Sequence, residues 1–423
     1  MERPPKSISF IWFFGLGGLG IFFPFFSLYL HENAGLSGTQ LGVILATLPL
    51  MGIAAQPMWG HLADRTGLRA RILTLLFLGA AVSYAALGRA SGFTAILGAT
   101  AILAIFSSAL IPTCVSVTLA LSGNGGARSF GRVRVWGTVG FFLSVVSFPW
   151  LLDAFEAARG LVALADGPSK PGLALMFPVT GALAAIAGAI AFTLPRHGAM
   201  ALRARRGDWQ SLAAHGPFVR LMFFALVAYL CLQGPMGMFA VFVRESGGTL
   251  ESVSQMWIHM LLLEVPLIAL SGAIHDRVGP RGLLAIGVIA GGVRWAVCGL
   301  APDLRWVYVA SLLHGVTVTG LVIGAPLYVE SVVPERLRST GQGVLAMFGI
   351  SLGGISSNLS AGWLLEHAGP DAPYIVGGFG AIALGALIPL ILPPPHRLHA
   401  TGDERPPHPR TSPSQPSAVT REE

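Results

Sequence analysis

An eight-residue pattern, G-x-x-x-D-R-x-G, occurs twice in this chain. The copies are Gly60-His61-Leu62-Ala63-Asp64-Arg65-Thr66-Gly67 and Gly272-Ala273-Ile274-His275-Asp276-Arg277-Val278-Gly279. Asp64 and Asp276 lie 212 residues apart in a chain of 423. Each copy closes a long apolar segment and is followed by further arginines, Arg69 and Arg71 in the first half and Arg281 in the second. An internal repeat at this spacing implies two like halves. A second, shorter repeat agrees: Arg128-Ser129-Phe130-Gly131 and Arg338-Ser339-Thr340-Gly341 stand 210 residues apart.

Only 11% of the residues are charged while 53% are hydrophobic, and the mean hydropathy is +0.68. A soluble domain carries about a quarter charged residues, so this chain has too few to cover itself with a solvated surface. It reads as a polytopic membrane protein. A helix needs about 20 apolar residues to cross the hydrocarbon, and twelve windows qualify: 8–30, 41–62, 72–90, 93–121, 130–152, 173–195, 218–243, 252–273, 283–301, 305–329, 339–365 and 373–393. The first is too long for the apolar core of a signal peptide and ends on no small-residue cleavage site, so it counts as a span. Cys114, Cys231 and Cys298 all fall in apolar segments, which argues against a disulfide framework and against a metal site.

The basic residues fix an expected orientation. With the N-terminus inside, 21 of the 27 fall on the cytoplasmic side. Arg89, Arg159, Lys170, Arg244 and Arg305 fall outside, and Arg294 is left within the membrane. The positive-inside rule then places both termini in the cytoplasm. The fold expected is an all-α integral membrane protein of 12 helices in two halves, 1–195 and 218–393. A basic cytoplasmic loop, 196–217, joins them, and a disordered cytoplasmic tail, 394–423, follows. Paired halves of this kind are how many secondary transporters are built.

Two groups of residues carry the functional expectations. In the repeated hairpins, Asp64 and Asp276 are placed to cap a neighbouring helix and to pair with arginine, and Gly67 and Gly279 allow tight turns. Gly60, Asp64, Arg65, Gly67, Gly272, Asp276, Arg277 and Gly279 are therefore the expected gating elements. Deeper in the membrane, Glu264 and Arg294 lie roughly 12–20 Å from the cytoplasmic end at 1.5 Å per residue, and His314 reaches a similar depth from the other side. Ionisable groups at that depth are costly and mark functional sites. The three form a candidate proton-handling cluster, with Arg294 expected to act on Glu264 by proximity.

The paired hairpin motifs resemble the signature of the major facilitator superfamily, where they work as a cytoplasmic gate latch. Phe22-Phe23-Pro24-Phe25-Phe26, Gln56-Pro57, Phe130-Gly131-Arg132-Val133-Arg134, Gly137-Thr138-Val139-Gly140, Glu264, Arg294 and Leu313-His314 resemble the lactose permease branch. Arg134-Val135-Trp136-Gly137 and Leu313-His314-Gly315 fit the phenylpropionate permease branch better. The resemblance covers about residues 10–390 and implies proton and solute residues in spans eight, nine and ten.

Departures from that pattern bear on the solute. Ser116 stands where the lactose permease has a sugar-binding glutamate, Phe141 replaces its stacking tryptophan, and Thr317 replaces a proton-carrying glutamate. Gln233, Met236 and Ile350 replace its charged pairs. Arg134 is thereby expected to lack its acidic partner and to grip an anion, with Phe22, Phe26, Phe141 and Trp257 as an apolar wall. Substrate-binding candidates are thus Arg134, Phe22, Phe26, Phe141, Ser116 and Gln233.

The expected function is secondary active transport of a small monocarboxylate with an aromatic or apolar body, by proton-coupled alternating access in a bacterial inner membrane. A sugar or nucleoside symporter, a drug exporter and a non-transporting receptor or scaffold remain alternatives. No enzymatic constellation, cofactor, metal or nucleic-acid partner is expected. The partners are the solute, protons and lipid, and the chain is expected to act as a monomer.

Overall fold

The structure is a computed structural model that describes residues 6–121, 126–163, 167–195 and 212–394, without the side chains of 126–129 and 339. Most of the expected loop at 196–217 and the tail beyond Pro394 lie outside the described residues, as do the side chains of Arg128, Ser129 and Ser339 from the shorter repeat.

The described residues are helical throughout the expected spans. In chain order these are α1 (Lys6–Asn33), α2 (Gly38–Thr66), α3 (Arg69–Leu87), α4 (Phe93–Leu121), α5 (Phe130–Arg159), α6 (Leu173–Phe192) and α7 (Gly216–Gly237). A short helix, Phe239–Glu245, prolongs the seventh span. The run Leu250–Leu300 is 51 residues long but breaks at Gly279, with φ 68° and ψ 172°. We number its two arms α8 and α9. Then come α10 (Leu304–Val332), α11 (Thr340–Ala368) and α12 (Ala372–Ile391). Among the described residues eleven helices are long and apolar enough to cross a membrane, and the break at Gly279 makes the longest of them two crossings.

Local sequence explains where the helices start and stop. Ser37 and Gln40 form a capping box at the start of α2, and Thr249 and Ser252 form another at the start of α8. The Asp303 side chain accepts the Arg305 N–H at 2.9 Å and caps α10. Both repeated motifs end their helix on a glycine at positive φ: Gly67 at 68° closes α2, its N–H bonded to the Ala63 carbonyl at 2.9 Å. Gly279 takes the same φ, and Pro280 then opens α9 with an N-terminal residue that needs no N–H donor.

Lipid tails are as apolar as leucine, so helix association in a bilayer rests on close packing rather than on the hydrophobic effect, and small residues let backbones touch. In the first half α1 packs on α5 and α6, and α3 on α6. In the second half Gly287 meets Gly320 between α9 and α10, and Gly292 meets Gly378 between α9 and α12. The halves themselves meet where α2 lies along α11. A Cβ on Gly42 would sit 2.5 Å from the Asn358 carbonyl oxygen.

That contact belongs to a clamp at the end of the bundle away from the repeated turns. There Glu366 of α11 accepts the Ser37 hydroxyl at 2.8 Å and the Thr39 N–H at 2.7 Å. Arg244 pairs with Glu32 at 2.9 Å, and His31 faces Glu245 at 3.3 Å. Toward the repeated turns the same two helices part. A cavity of about 460 Å³ separates Gly52–Pro57 of α2 from Thr340–Ser351 of α11. The bundle is clamped at one end and open at the other.

Candidate functional site

Glu264, His314 and Arg294, on three different helices, form one chain of contacts. Nη1 of Arg294 donates to Nδ1 of His314 at 3.0 Å, and Nε2 of His314 stands 3.6 Å from Oε2 of Glu264. Small residues bring the three helices this close. A Cβ on Gly315 would lie 2.5 Å from the Glu264 backbone nitrogen, so α10 touches α8 directly beside His314. Gly291, one turn before Arg294, lets α9 close on Leu232 of α7 and Thr317 of α10.

The geometry fixes the tautomer of the histidine. A guanidinium has no acceptor atom, so Nδ1 must accept, and the neutral ring carries its hydrogen on Nε2. That hydrogen faces the Glu264 carboxyl. The expectation that Glu264 and Arg294 act on each other as neighbours is therefore corrected: the imidazole stands between them and contacts both.

Arg294 is only 2% exposed. It stacks on Trp295, with 3.9 Å from the guanidinium carbon to the ring centroid, and also lies 5.5 Å over Phe239. Nη2 points at the sulfur of Met260 at 3.3 Å, and Met236 contributes a second sulfur at 3.7 Å from Nη1. Both methionines are neutral ligands. Gln233 and Thr317 line a small cavity next to this cluster.

Arg134 of α5 faces the cluster from the other half and interacts electrostatically with Glu264. It has no acidic partner within 4.0 Å among the described residues, but its guanidinium lies 4.8 Å from the Trp12 ring centroid, and Nη1 reaches Thr138 Oγ1 at 3.5 Å. Stacking uses the face of the guanidinium and leaves its in-plane N–H edge for another ligand. Trp12 itself is held by an indole N–H donated to Thr118 at 2.9 Å. Trp12 carried no sequence signal of this role, because its pairing with Arg134 joins α1 to α5 and is invisible in either segment alone.

The aromatic candidates divide. Phe141 lies 5.7 Å from Trp257 across the two halves, and Trp257 is 6.2 Å from the His314 ring. Phe22 and Phe26 do not join them. They are 5% and 2% exposed, stack on each other at 4.3 Å, and pack against Tyr84 and Phe177. Phe23 takes the place expected of them, 36% exposed and edge-on to Trp257 at 5.6 Å. Consecutive residues of a helix point about 100° apart, so a five-residue aromatic run cannot all face one cavity. Ser116 is half-buried on α4 and makes no hydrogen bond among the described residues.

The repeated hairpins differ in detail. Asp64 accepts Nη2 of Arg69 at 2.8 Å, tying the turn to the start of α3. The equivalent Asp276 and Arg281 form no ion pair within 4.0 Å, and with Arg277 they line an open cavity of about 1170 Å³. Arg65 is exposed. A side chain on Gly60 or Gly272 would meet open space in this conformation.

Comparison with known proteins agrees with this architecture. The model of the MFS_1 like family matches residues 6–376. The maltose permease of Geobacillus stearothermophilus is 32% identical over 408 residues, covering 94% of this chain and 95% of that protein. The Escherichia coli K12 protein named "Probable 3-phenylpropionic acid transporter" is 26% identical over 398 residues, covering 91% and 95%. Among solved structures, a mutant of the nucleoside transporter NupG superposes with a TM-score of 0.80 at 15% identity, covering 92% of this chain and 99% of that one. With twelve crossings in two halves and a family match over nearly all of them, this chain belongs to the MFS_1 like family and is a major facilitator transporter.

Proposed function

We propose that this transporter carries a small monocarboxylate with an apolar or aromatic body, together with a proton, by alternating access. The observation that carries the reading is a charge imbalance. Arg134 and Arg294 each lack a carboxylate within 4.0 Å among the described residues, and Glu264 is the acid that bears on the site. Two guanidiniums against one carboxylate leave a net charge of +1. A carboxylate on the in-plane edge of Arg134 would be held by two parallel charge-assisted hydrogen bonds. Phe23, Phe141 and Trp257 would cover its apolar body.

The same charges explain coupling. Empty, the site holds two cations and ionised Glu264. Loaded, it holds two cations, the solute carboxylate and protonated Glu264, and its net charge is unchanged. Either state crosses the low-dielectric middle of the bilayer at similar electrostatic cost. Solute without proton, or proton without solute, would alter that charge and stall the cycle. With both termini cytoplasmic, as the basic residues favour, the clamped end is the outer one. This conformation is then inward-open, and the hairpins at Asp64 and Asp276 close against the other half in the opposite state.

A neutral sugar is the second reading, and the 32% identity to a maltose permease favours it. Thermal-shift measurements on the purified protein with phenylpropionate-like acids, disaccharides and nucleosides separate the two. Stabilisation by acids that falls about tenfold or more in apparent affinity in Arg134→Gln supports the anion reading. Stabilisation by neutral sugars alone, indifferent to Arg134→Gln, overturns it.

A further inference from the structure

Arg294 is a buried charge surrounded by neutral groups. Its contacts are an imidazole nitrogen, two thioether sulfurs and two aromatic faces, and Nε has no partner among the described residues. Arginine does not shed its proton in proteins, and buried charges are ordinarily paired. Glu264 does not meet this need, because the His314 ring stands between them.

Beside Arg294, between α7, α9 and α10, lies a cavity with about 110 Å³ open to the centres of water-sized molecules, where one water needs roughly 10–15 Å³. Arg294, Tyr229 and Gln233 line it. The Tyr229 hydroxyl and the Gln233 amide make no hydrogen bond among the described residues. Two O–H or N–H donors without partners among the described residues thus line a cavity that has an uncompensated positive charge on its wall. The rest of the lining, Leu232, Met236, Val318, Leu321 and Val322, is apolar, which strengthens the field of that charge.

We propose that this cavity binds a small monovalent anion, of the size of chloride or formate, as the resident counter-ion of Arg294. Its walls all come from the second half of the chain, so they move together as that half moves. The anion stays with the helices through the cycle and is distinct from the solute gripped at Arg134; it lowers the charge of the empty and the loaded site equally, from +1 to 0, so the match between the two states is kept. It also steadies the tautomer of His314, because an occupied Arg294 stays fixed with Nη1 toward Nδ1.

The test is the melting temperature of the full-length purified protein in chloride, bromide, formate and gluconate salts at equal ionic strength, with no transported solute present. Gluconate is too large for the cavity and serves as the reference. Chloride and bromide are expected to raise the melting temperature by about 3 °C. Tyr229→Phe, which keeps the volume and the charge, should weaken the apparent halide affinity roughly tenfold, and Arg294→Gln should abolish the shift. A shift with formate but not halides assigns the cavity to a carboxylate instead of an inorganic ion. Equal melting in all four salts, or a halide shift unchanged in both variants, overturns the site. Because no solute is present, the result stands apart from whether the transporter carries an anion or a sugar.

Discussion

Nη1 of Arg294 donates a 3.0 Å hydrogen bond to Nδ1 of His314, and this one contact sets the direction of the site's chemistry. It turns the Nε2 hydrogen of the ring toward Glu264, the group that carries the proton in the proposed function. In the proposed cycle the arginine orients, the histidine relays and the glutamate carries.

Glu264→Gln keeps the shape and the hydrogen-bonding reach of the side chain but cannot ionise. Uphill uptake in proteoliposomes under a proton gradient should vanish, while exchange of labelled for unlabelled solute at equilibrium should persist. His314→Asn, which offers a shorter acceptor and donor, should slow both. A Glu264→Gln protein that still concentrates solute would remove Glu264 from the coupling role.

The clamp between α2 and α11 holds the bundle open at the motif end. Gly42→Val places a branched side chain against the Asn358 carbonyl, and Glu366→Gln weakens charge-assisted bonds to Ser37 and Thr39. Glu366 is solvent-exposed, so the loss of its charge is screened; Glu366→Gln should shift the conformational balance only slightly and Gly42→Val by more. Spin labels at Leu161→Cys and Trp306→Cys, both on the clamped end, should report longer distances in the two variants. Unchanged distances in Gly42→Val would show that this packing does not hold the clamp.

Gly67 and Gly279 each take a φ of 68° that a side chain resists. Alanine should cost about 1–2 kcal/mol at Gly67, which is left-handed helical. It should cost about 1–3 kcal/mol at Gly279, whose ψ of 172° lies in a region essentially only glycine occupies. Either should lower the melting temperature. Gly60→Ala and Gly272→Ala meet open space in this conformation and should leave stability nearly unchanged. If they impair transport all the same, they act in the state where the motif end is closed.

The loop after α5 adds a dependence on alkaline pH. Burial works against the Lys170 ammonium, but Asp153 at 2.5 Å and Glu156 at 3.5 Å outweigh it and hold the Lys170 pKa above its ordinary value. A raised pKa in the folded state contributes stability that is whole below the ordinary lysine pKa and lost as pH rises through the folded one. The pair is partly exposed, so its worth is under about 1 kcal/mol. Lys170→Met should flatten the alkaline limb of the melting-temperature profile and leave the neutral region almost unmoved.

Twelve crossings, two halves and the turn glycines were legible in the sequence, because each depends on local properties: apolar length, repetition, and a backbone angle that glycine accepts. The common depth of Glu264, Arg294 and His314 was legible too, since helical rise converts residue number into distance. Which side chains then touch was not. Whether Phe22 or Phe23 faces the middle turns on about 100° of helix rotation. That rotation is set by the glycines through which α1 packs on α5, and no pattern within α1 specifies it. The Trp12–Arg134 stack, the imidazole between Glu264 and Arg294, and the cavity beside Tyr229 and Gln233 each join residues of different helices. Sequence determined the parts of this transporter and their depth in the membrane, whereas only tertiary packing, by fixing helix rotation and the approach of small residues, decided which charges meet and which are left to find a partner.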